Sequence, residues 1–558
     1  MSGGPIAVLT IDERIERGAQ RGHALTFVVG GDHVAVPYSQ LLEEAAGYAA
    51  NLQRLGVMPG DHVAILGPTS RQLVTAIEAV WLAGATIVVL PLPMRLSSIE
   101  EFVAQTRARI LHADARLVLI DPDLAPFVVP EPGDPPMHGW EDLQPGAGHA
   151  TAADWVRPAA DLDRLAILQF TSGSTSDPKG VMLPHRTVGA NLDAIAQATS
   201  LDPDDDVLVS WLPLYHDMGL VGLLTLSLTT GTPFVLGAPT DFTSSPSRWM
   251  EWMSTYGGTA TAGPNFSYVL AARAMRRAGT TLDLSRIRIA LNGAEPVDPS
   301  TVAAFLEAGE RHGLRPGAVF PAFGMAEIAI AGTFPEPLSG LRTDAIDRRV
   351  LEDERYAAPV AGDAEGVRHL AILGRPVEGL EIRVVDPATG DALKEREVGE
   401  LEIRGTSVTP GYYKRPEANE ELFHDGWLRT GDLAYVVDGE MVMCGRIKDM
   451  IIVGGRNVYP EDIERALADL DGVRAGNVIA FGIDGVGGKE GLVVVAESTS
   501  DDHPEVRRTV AERVRTAVGL PAKDIVLVEP GSLPKTSSGK LQRSLCKVRY
   551  LGADLQLA

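Results

Sequence analysis

Apolar and polar positions follow two rhythms along this chain. Residues 39–56 carry Leu41, Ala45, Tyr48, Ala49 and Leu52 at helical spacing, with Ser39 as a candidate N-cap and Gly56 as a stop, which predicts an amphipathic helix. The unbroken run HVAIL at 62–66 predicts a buried strand, residues 72–82 a helix, and ATIVVL, ending at Leu90, a second buried strand. Continuous apolar strands that alternate with helices imply a parallel sheet covered on both faces. The pattern returns with VLVSWL at 207–212, TPFVLG at 232–237 and IRIALNG at 287–293. The fold class expected is therefore α/β.

From residue 379 the rhythm changes. EIRVVD, GELEIRG and GEMVMCGR are short alternating strands between turn residues, the pattern of an antiparallel β subdomain. From Tyr459 onward a helix at 461–470, strands at 475–481 and 491–497, a helix at 503–518 and a strand at 524–528 suggest a small α+β domain. The glycine-containing clusters GRIKD at 445–449 and GGRN at 454–457 mark the junction. The division expected is a large N-terminal domain, 1–448, with parallel sheets, helices and a β subdomain, and a small mobile C-terminal domain, 449–558. Residues 218–240 are uncharged, but a Gly231-Thr232-Pro233 break argues for a buried helix then a buried strand, not a membrane span.

Composition narrows the classes. With 558 residues the chain is too long for one core. A net charge of −24 would repel nucleic-acid phosphates overall. Cys444 and Cys546 are the two cysteines, too few for a disulfide framework and in no zinc-like spacing. They read as reduced thiols. The opening residues lack a basic stretch followed by an apolar run, so a cytoplasmic location is expected.

The strongest local signal is LQFTSGSTSDPKG at 168–180, where an apolar strand runs into hydroxyls, glycines and Lys179. Small residues let the backbone approach an anion, and N–H and O–H groups donate to phosphate oxygens. The Walker spacing is absent. Taken alone, the cluster fits a surface turn equally well.

Other segments change that balance: WLPLYHDMGL at 211–220, NGAEP at 292–296, FGMAE at 323–327, GWLRTGD at 426–432, GRIKDMIIVGGRNVYPEDIE at 445–464 and LPKTSSGKLQRS at 533–544. Together, and in this order, they resemble the adenylate-forming superfamily of acyl-CoA synthetases, luciferases, peptide-synthetase adenylation domains and fatty acyl-AMP ligases. The resemblance implies attack of a carboxylate on the α-phosphorus of ATP, with Mg²⁺ as cofactor. A carboxylate is already ionised at neutral pH, so such a site needs cations and positioning, not a general base.

The resemblance also implies roles. Lys540 would be the catalytic cation, brought in by the small domain. Glu327 would hold Mg²⁺. Thr171, Ser172, Gly173, Ser174, Thr175 and Lys179 would cradle the ATP phosphates. Asn292, Gly293, Ala294 and Glu295, with Phe323, Gly324 and Met325, would form the adenine slot; many relatives have Tyr where this chain has Phe323. Asp432 and Arg446 would hold the ribose. His216 would lie catalytically at the carboxylate end of the substrate pocket, next to Asp217 and Met218. Asn265 and Phe266 would line the acyl pocket, and Asp449 would be the hinge.

Residues 335–368 are polar, charged and longer than the connection expected there in acyl-CoA synthetases, and resemble the insertion of fatty acyl-AMP ligases. That branch implies a fatty-acid substrate and an acyl-carrier protein, or a carrier domain of a polyketide or peptide synthase, as acceptor; siderophore or complex-lipid assembly is the nearest setting. An acyl-CoA synthetase, an amino-acid adenylation domain and a non-catalytic nucleotide-binding module are the competing readings.

Overall fold

Which strands lie side by side decides where the motifs meet. The computed structural model describes residues 9–92, 99–146, 148–170, 179–277, 279, 281–453, 456–484, 490–536 and 539–558. A six-stranded sheet runs in the order Met137–His138, Ala115–Ile120, His62–Leu66, Thr86–Val89, Leu165–Phe170, Gly180–Pro184, parallel except for the last pair. A seven-stranded sheet is ordered Val319–Pro321, Ile289–Asn292, Ala260–Gly263, Leu208–Ser210, Phe234–Leu236, Ala24–Phe27, Val34–Pro37, again parallel except for its last pair. The continuous apolar runs are the central strands of these sheets, as burial on both faces requires.

The antiparallel subdomain is present too. Leu380–Val385, Gly399–Gly405 and Trp427–Val437 form successive antiparallel pairs, and Glu440–Arg446 pairs back onto Trp427–Val437. The C-terminal residues form a three-stranded sheet of Val473–Asp484, Glu490–Ser498 and Asp524–Val528, backed by the helix His503–Val518. A separate apolar cluster that includes Ile463, Val494, Val510 and Leu527 fills it.

Residues 218–240 form a short α-turn, a π-helical stretch at Leu220–Thr225, the helix Leu226–Thr230 and the strand Phe234–Leu236. Gly231 ends the helix at φ +70, and a Cβ there would lie 2.4 Å from the Gly18 carbonyl oxygen. Among the described residues no helix is long and apolar enough to cross a membrane.

Two expectations are corrected. Ser39 is not an N-cap: the helix spans Tyr38–Arg54 behind Pro37, with no side-chain cap. The Tyr38 hydroxyl instead donates to the Thr232 carbonyl at 2.6 Å, so a tertiary anchor replaces the local one. The helix expected at 461–470 is only Pro460–Ala466. Leu467 and Leu470 stay buried beyond its end, so their apolar spacing reflects the core and not a longer helix.

Residues 335–368 are not a loose surface loop. Thr343–Asp347 pairs with Val367–Ala371, the helix Arg348–Glu354 sits between them, and Ile346, Leu351 and Ala357 are buried.

One buried histidine ties the first helix, Ile11–Ala19, to the start of the helix His185–Ala198 and makes stability depend on pH. The Ile11 amide donates to His185 Nδ1 at 3.1 Å. Burial, then the charge of Arg164, pushes the His185 imidazole down to about 3. The folded protein therefore keeps His185 neutral, whereas an unfolded chain protonates it near its ordinary value of about 6.5. This contribution is fully present above about pH 6.5 and is lost as pH falls towards 3, by up to about 1.4 kcal/mol per pH unit. Urea unfolding at stepped pH should show a shallower acid decline for His185→Asn than for the wild type; equal slopes would refute the assignment.

Candidate active site

In a parallel sheet, ligands gather beyond the carboxyl ends of the strands. Four neighbouring strands of the seven-stranded sheet deliver motifs there. Leu208–Ser210 leads to His216, Asp217 and Met218; Ala260–Gly263 leads to Asn265 and Phe266; Ile289–Asn292 leads to Gly293, Ala294 and Glu295; Val319–Pro321 leads to Phe323, Gly324, Met325 and Glu327. All of these except Asn292 line one cleft of about 2240 Å³. The six-stranded sheet contributes Lys179 to the same cleft, the β subdomain Asp432 and Arg446, the connector that follows it Asp449, and the C-terminal part Lys540. Thr171, Ser172, Gly173, Ser174 and Thr175 lie outside the described residues.

The turns are shaped for close approach. A Cβ on Gly324 would sit 2.0 Å from the Ile330 carbonyl oxygen, so only glycine fits there. Ala294 has φ +66, a strained setting for a residue with a Cβ. Asn292 does not line the cleft. It is buried behind it, and its Nδ2 donates to Asn265 Oδ1 at 3.1 Å. The Asp298 amide donates to the same oxygen at 3.2 Å, and Asn265 Nδ2 donates to Thr301 Oγ1 at 3.4 Å. The Asn265 amide thus braces the wall it belongs to. Phe266 is fixed by its own backbone, whose amide donates to Glu295 Oε2 at 3.2 Å.

Charge is concentrated in the middle. Lys540 is held below the ordinary lysine value by burial, opposed by the charges of Asp217 and Glu295. Asp217 is pushed up by burial but pulled to a net value below the ordinary one, chiefly by His216 and also by Lys540; His216 Nδ1 lies 2.6 Å from Asp217 Oδ1. Burial raises Glu295, against the pull of Lys540. Lys540 belongs to a tight turn. The Thr536 amide donates to the Lys540 carbonyl at 2.8 Å, and the Lys540 amide donates to Thr536 Oγ1 at 3.0 Å.

On another wall, Arg446 Nε donates to Asp432 Oδ1 at 2.8 Å. The two face each other across an antiparallel pair. Gly431, at φ +70, adjoins a register irregularity in the partner strand, a local twist that turns neighbouring side chains. Burial raises Asp432, opposed by Arg446. Lys448 also lines the cleft and is held below the ordinary lysine value by burial and by Arg446.

Glu327 is buried, and the Tyr412 hydroxyl donates to its Oε1 at 2.7 Å. Burial raises the Glu327 carboxyl, and the nearby charge of Asp217 raises it further. The Tyr412 ring also carries the Lys179 ammonium, 4.9 Å from its centroid. Tyr412 thus touches two residues the motifs single out. Its own segment, GYYKRP at 411–416, has no spacing that marks it; only the three-dimensional meeting does. Lys448 was equally unmarked, although it lies within the GRIKD cluster.

A family model described as AMP-binding enzyme matches residues 15–413. A provisionally named ligase of Mycobacterium tuberculosis, Rv1013, is 38% identical over 93% of this chain and 95% of its own length. The medium-chain-fatty-acid–[acyl-carrier-protein] ligase JamA of Moorena producens is 32% identical over 95% of this chain and 93% of its own. A solved structure from studies of fatty acyl-adenylate ligases of E. coli and L. pneumophila superposes with a TM-score of 0.90 at 30% identity, covering 98% of each chain. The chain belongs to the AMP-binding enzyme family and has the fold of an adenylate-forming enzyme, C-terminal domain included.

Proposed function

We propose that this protein activates a fatty acid with ATP, releasing pyrophosphate and forming acyl-AMP, and then passes the acyl group to the thiol of a carrier protein. The observation that carries this reading is the position of Lys540 in a cleft that is also lined by Asp432 and Arg446 and by the apolar side chains of Met218, Leu223, Leu226 and Phe266. The polar lining suits a nucleotide and the apolar lining an alkyl chain.

In the first step a carboxylate oxygen bonds to the α-phosphorus as the bond to pyrophosphate breaks. Two anions must be held together while charge shifts to the leaving group, and cations in a water-poor cleft do this most effectively. Lys540 would bridge the reacting groups, with Lys179 on the phosphates. Asp432, oriented by Arg446, would accept from the ribose hydroxyls. His216 would lie beside the substrate carboxylate. In the second step the thiol loses its proton, its sulfur bonds to the acyl carbon, and AMP leaves.

Among the described residues no group of three or more His, Cys, Asp or Glu gathers around a metal position. The residues nevertheless suit Mg²⁺, which is bound by one or two carboxylates together with substrate phosphates and water. Glu327 is buried with one oxygen fixed by Tyr412 and a second carboxylate, Asp217, near enough to raise it. A bound Mg²⁺ would neutralise phosphate charge at that carboxylate.

The 335–368 segment supports the carrier-protein branch. Asn457 Nδ2 donates to the Glu352 carbonyl at 2.8 Å, and Arg456 pairs with the Glu352 carboxylate. Arg368 lies 2.9 Å from Asp462 and over the Tyr459 ring at 4.3 Å. A small domain tethered in this way resists rotation. A carrier protein can offset that resistance with its own interface, whereas free CoA has far less contact area.

Lys540→Ala should lower acyl-AMP formation at least about 100-fold, the scale of losing one transition-state charge partner, with ATP affinity nearly kept. Pyrophosphate release at a near-normal rate would sink that role. Tyr412→Phe keeps the ring under Lys179 but removes the hydrogen bond to Glu327, worth about 1.5–3 kcal/mol. It should cut kcat roughly 10- to 100-fold and raise the Mg²⁺ concentration needed for half-maximal rate; an unchanged Mg²⁺ titration would count against a metal at Glu327. Finally, mass spectrometry after incubation with ATP, Mg²⁺ and a fatty-acid panel should show acyl-AMP, with transfer to a carrier protein and little acyl-CoA. Replacing residues 348–366 by a short turn should raise acyl-CoA with acyl-AMP kept. An intact enzyme that makes acyl-CoA as fast as it adenylates would be an acyl-CoA synthetase.

A further inference from the structure

Arg543 opens the last helix, Arg543–Leu551, three residues after Lys540. The stretch between them is stiff. Lys535 and Leu541 form a bridge, and the Gln542 amide donates to the Pro534 carbonyl at 2.9 Å. What fixes Arg543 therefore fixes the base of the Lys540 turn.

The Arg543 guanidinium is shared between two bodies. Nε donates to Glu464 Oε1 at 2.9 Å and Nη2 to Glu464 Oε2 at 2.7 Å, a bidentate pair. Nη2 also lies 3.1 Å from Glu461 Oε1. Glu461 and Glu464 sit on Pro460–Ala466, inside the C-terminal part. The remaining arm, Nη1, donates to Asp449 Oδ2 at 2.8 Å. Asp449 ends the single turn Ile447–Asp449, which follows directly on Glu440–Arg446, the strand that carries Arg446. Both ends of this contact are largely shielded: the Arg543 side chain is 18% exposed and that of Asp449 11%.

Resting on the acyl-AMP reading above, we infer that Arg543 is a positioning residue for adenylation, a latch that ties the connector carboxylate of Asp449 to the small domain and so holds Lys540 in the cleft. The Glu464 pair travels with the small domain and survives any rotation of it. The Asp449 contact does not, because a change in the connector dihedrals swings the carboxylate away from Nη1. The latch thus favours the adenylating arrangement over any rotated one, and its loss shifts that balance without removing a group that touches substrate.

Lysine at 543 keeps a positive charge but lacks the planar fork that reaches Glu464 and Asp449 together. Asparagine at 449 leaves the Arg543–Glu464 pair whole, so Asp449→Asn tests the latch even where a substitution at 543 weakens the fold. Two half-reactions are measured: pyrophosphate release with ATP, Mg²⁺ and a fatty acid, and transfer to the carrier protein from supplied acyl-adenylate. Arg543→Lys and Asp449→Asn should each lower kcat for the first about 10- to 100-fold. The KM for ATP should change less than about threefold, transfer should not fall, and the double variant should be no slower than the slower single one. The latch is overturned if both half-reactions fall together, if adenylation is untouched in Asp449→Asn, or if the two losses multiply. A wild type that releases no pyrophosphate with any fatty acid removes the acyl-AMP reading itself, and the latch with it.

Discussion

An ammonium group taken out of water loses several kcal/mol of hydration that only well-placed opposite charge restores. Lys540 stands in that position. Burial lowers it, and Asp217 and Glu295 are the main groups that draw it back towards the charged form. Those carboxylates come from loops after two different strands, while Lys540 arrives from the far end of the chain. The seven-stranded sheet, the C-terminal sheet and the connector between them must all be in register for this one charge to be tolerated. The acidic partners bear a reciprocal cost, since Asp217 stays ionised with the help of His216 and Lys540. The cleft is a set of mutually dependent charges, and it has a use for an anionic ligand that a neutral pocket would not have.

Much of this was legible in the sequence because the motifs lie where the chain has least freedom. Gly324 is required by a carbonyl 2.0 Å from its absent Cβ, and the apolar runs at 62–66 and 287–293 are central strands. The motifs at 211–220, 292–296 and 323–327 follow strand ends, so a parallel sheet brings them together without further information. Less was legible where a residue acts through a distant partner. Tyr412 is an ordinary aromatic in GYYKRP until the fold sets Lys179 on its ring and Glu327 on its hydroxyl. Asn292 carries a motif position yet works behind the wall, bracing Asn265. Ser39 looked like a cap because local chemistry favours one, but the Tyr38 anchor to Thr232 settled the helix start instead. The polar composition of residues 335–368 marked an insertion but not how it folds. Its few apolar residues, Ile346 and Leu351 among them, sufficed to fold it against the β subdomain.

The contacts between the body of the protein and its C-terminal part carry more charge than those inside either. Each interior is built of apolar clusters, and one further cluster crosses between them, where Tyr459 is buried with Ile346, Leu351 and Tyr435. Around that apolar contact the boundary is ionic: Arg456 with Glu352, Arg368 with Asp462, Arg465 with Asp298 at 3.6 Å, and Arg543 with Asp449. A shielded ion pair gives geometric definition with little net stabilisation, because desolvation cancels most of the Coulomb gain. An apolar seam of similar area would gain about 25 cal/mol for every Å² buried and would lose all of it on opening. Ionic contacts can instead be exchanged for water at a net cost of few kcal/mol. In the reading proposed above, such a boundary would hold one defined arrangement of Lys540 firmly enough to be populated and loosely enough to be left. On that same reading, these few charged side chains together with the buried Tyr459 ring would govern how readily the small domain turns.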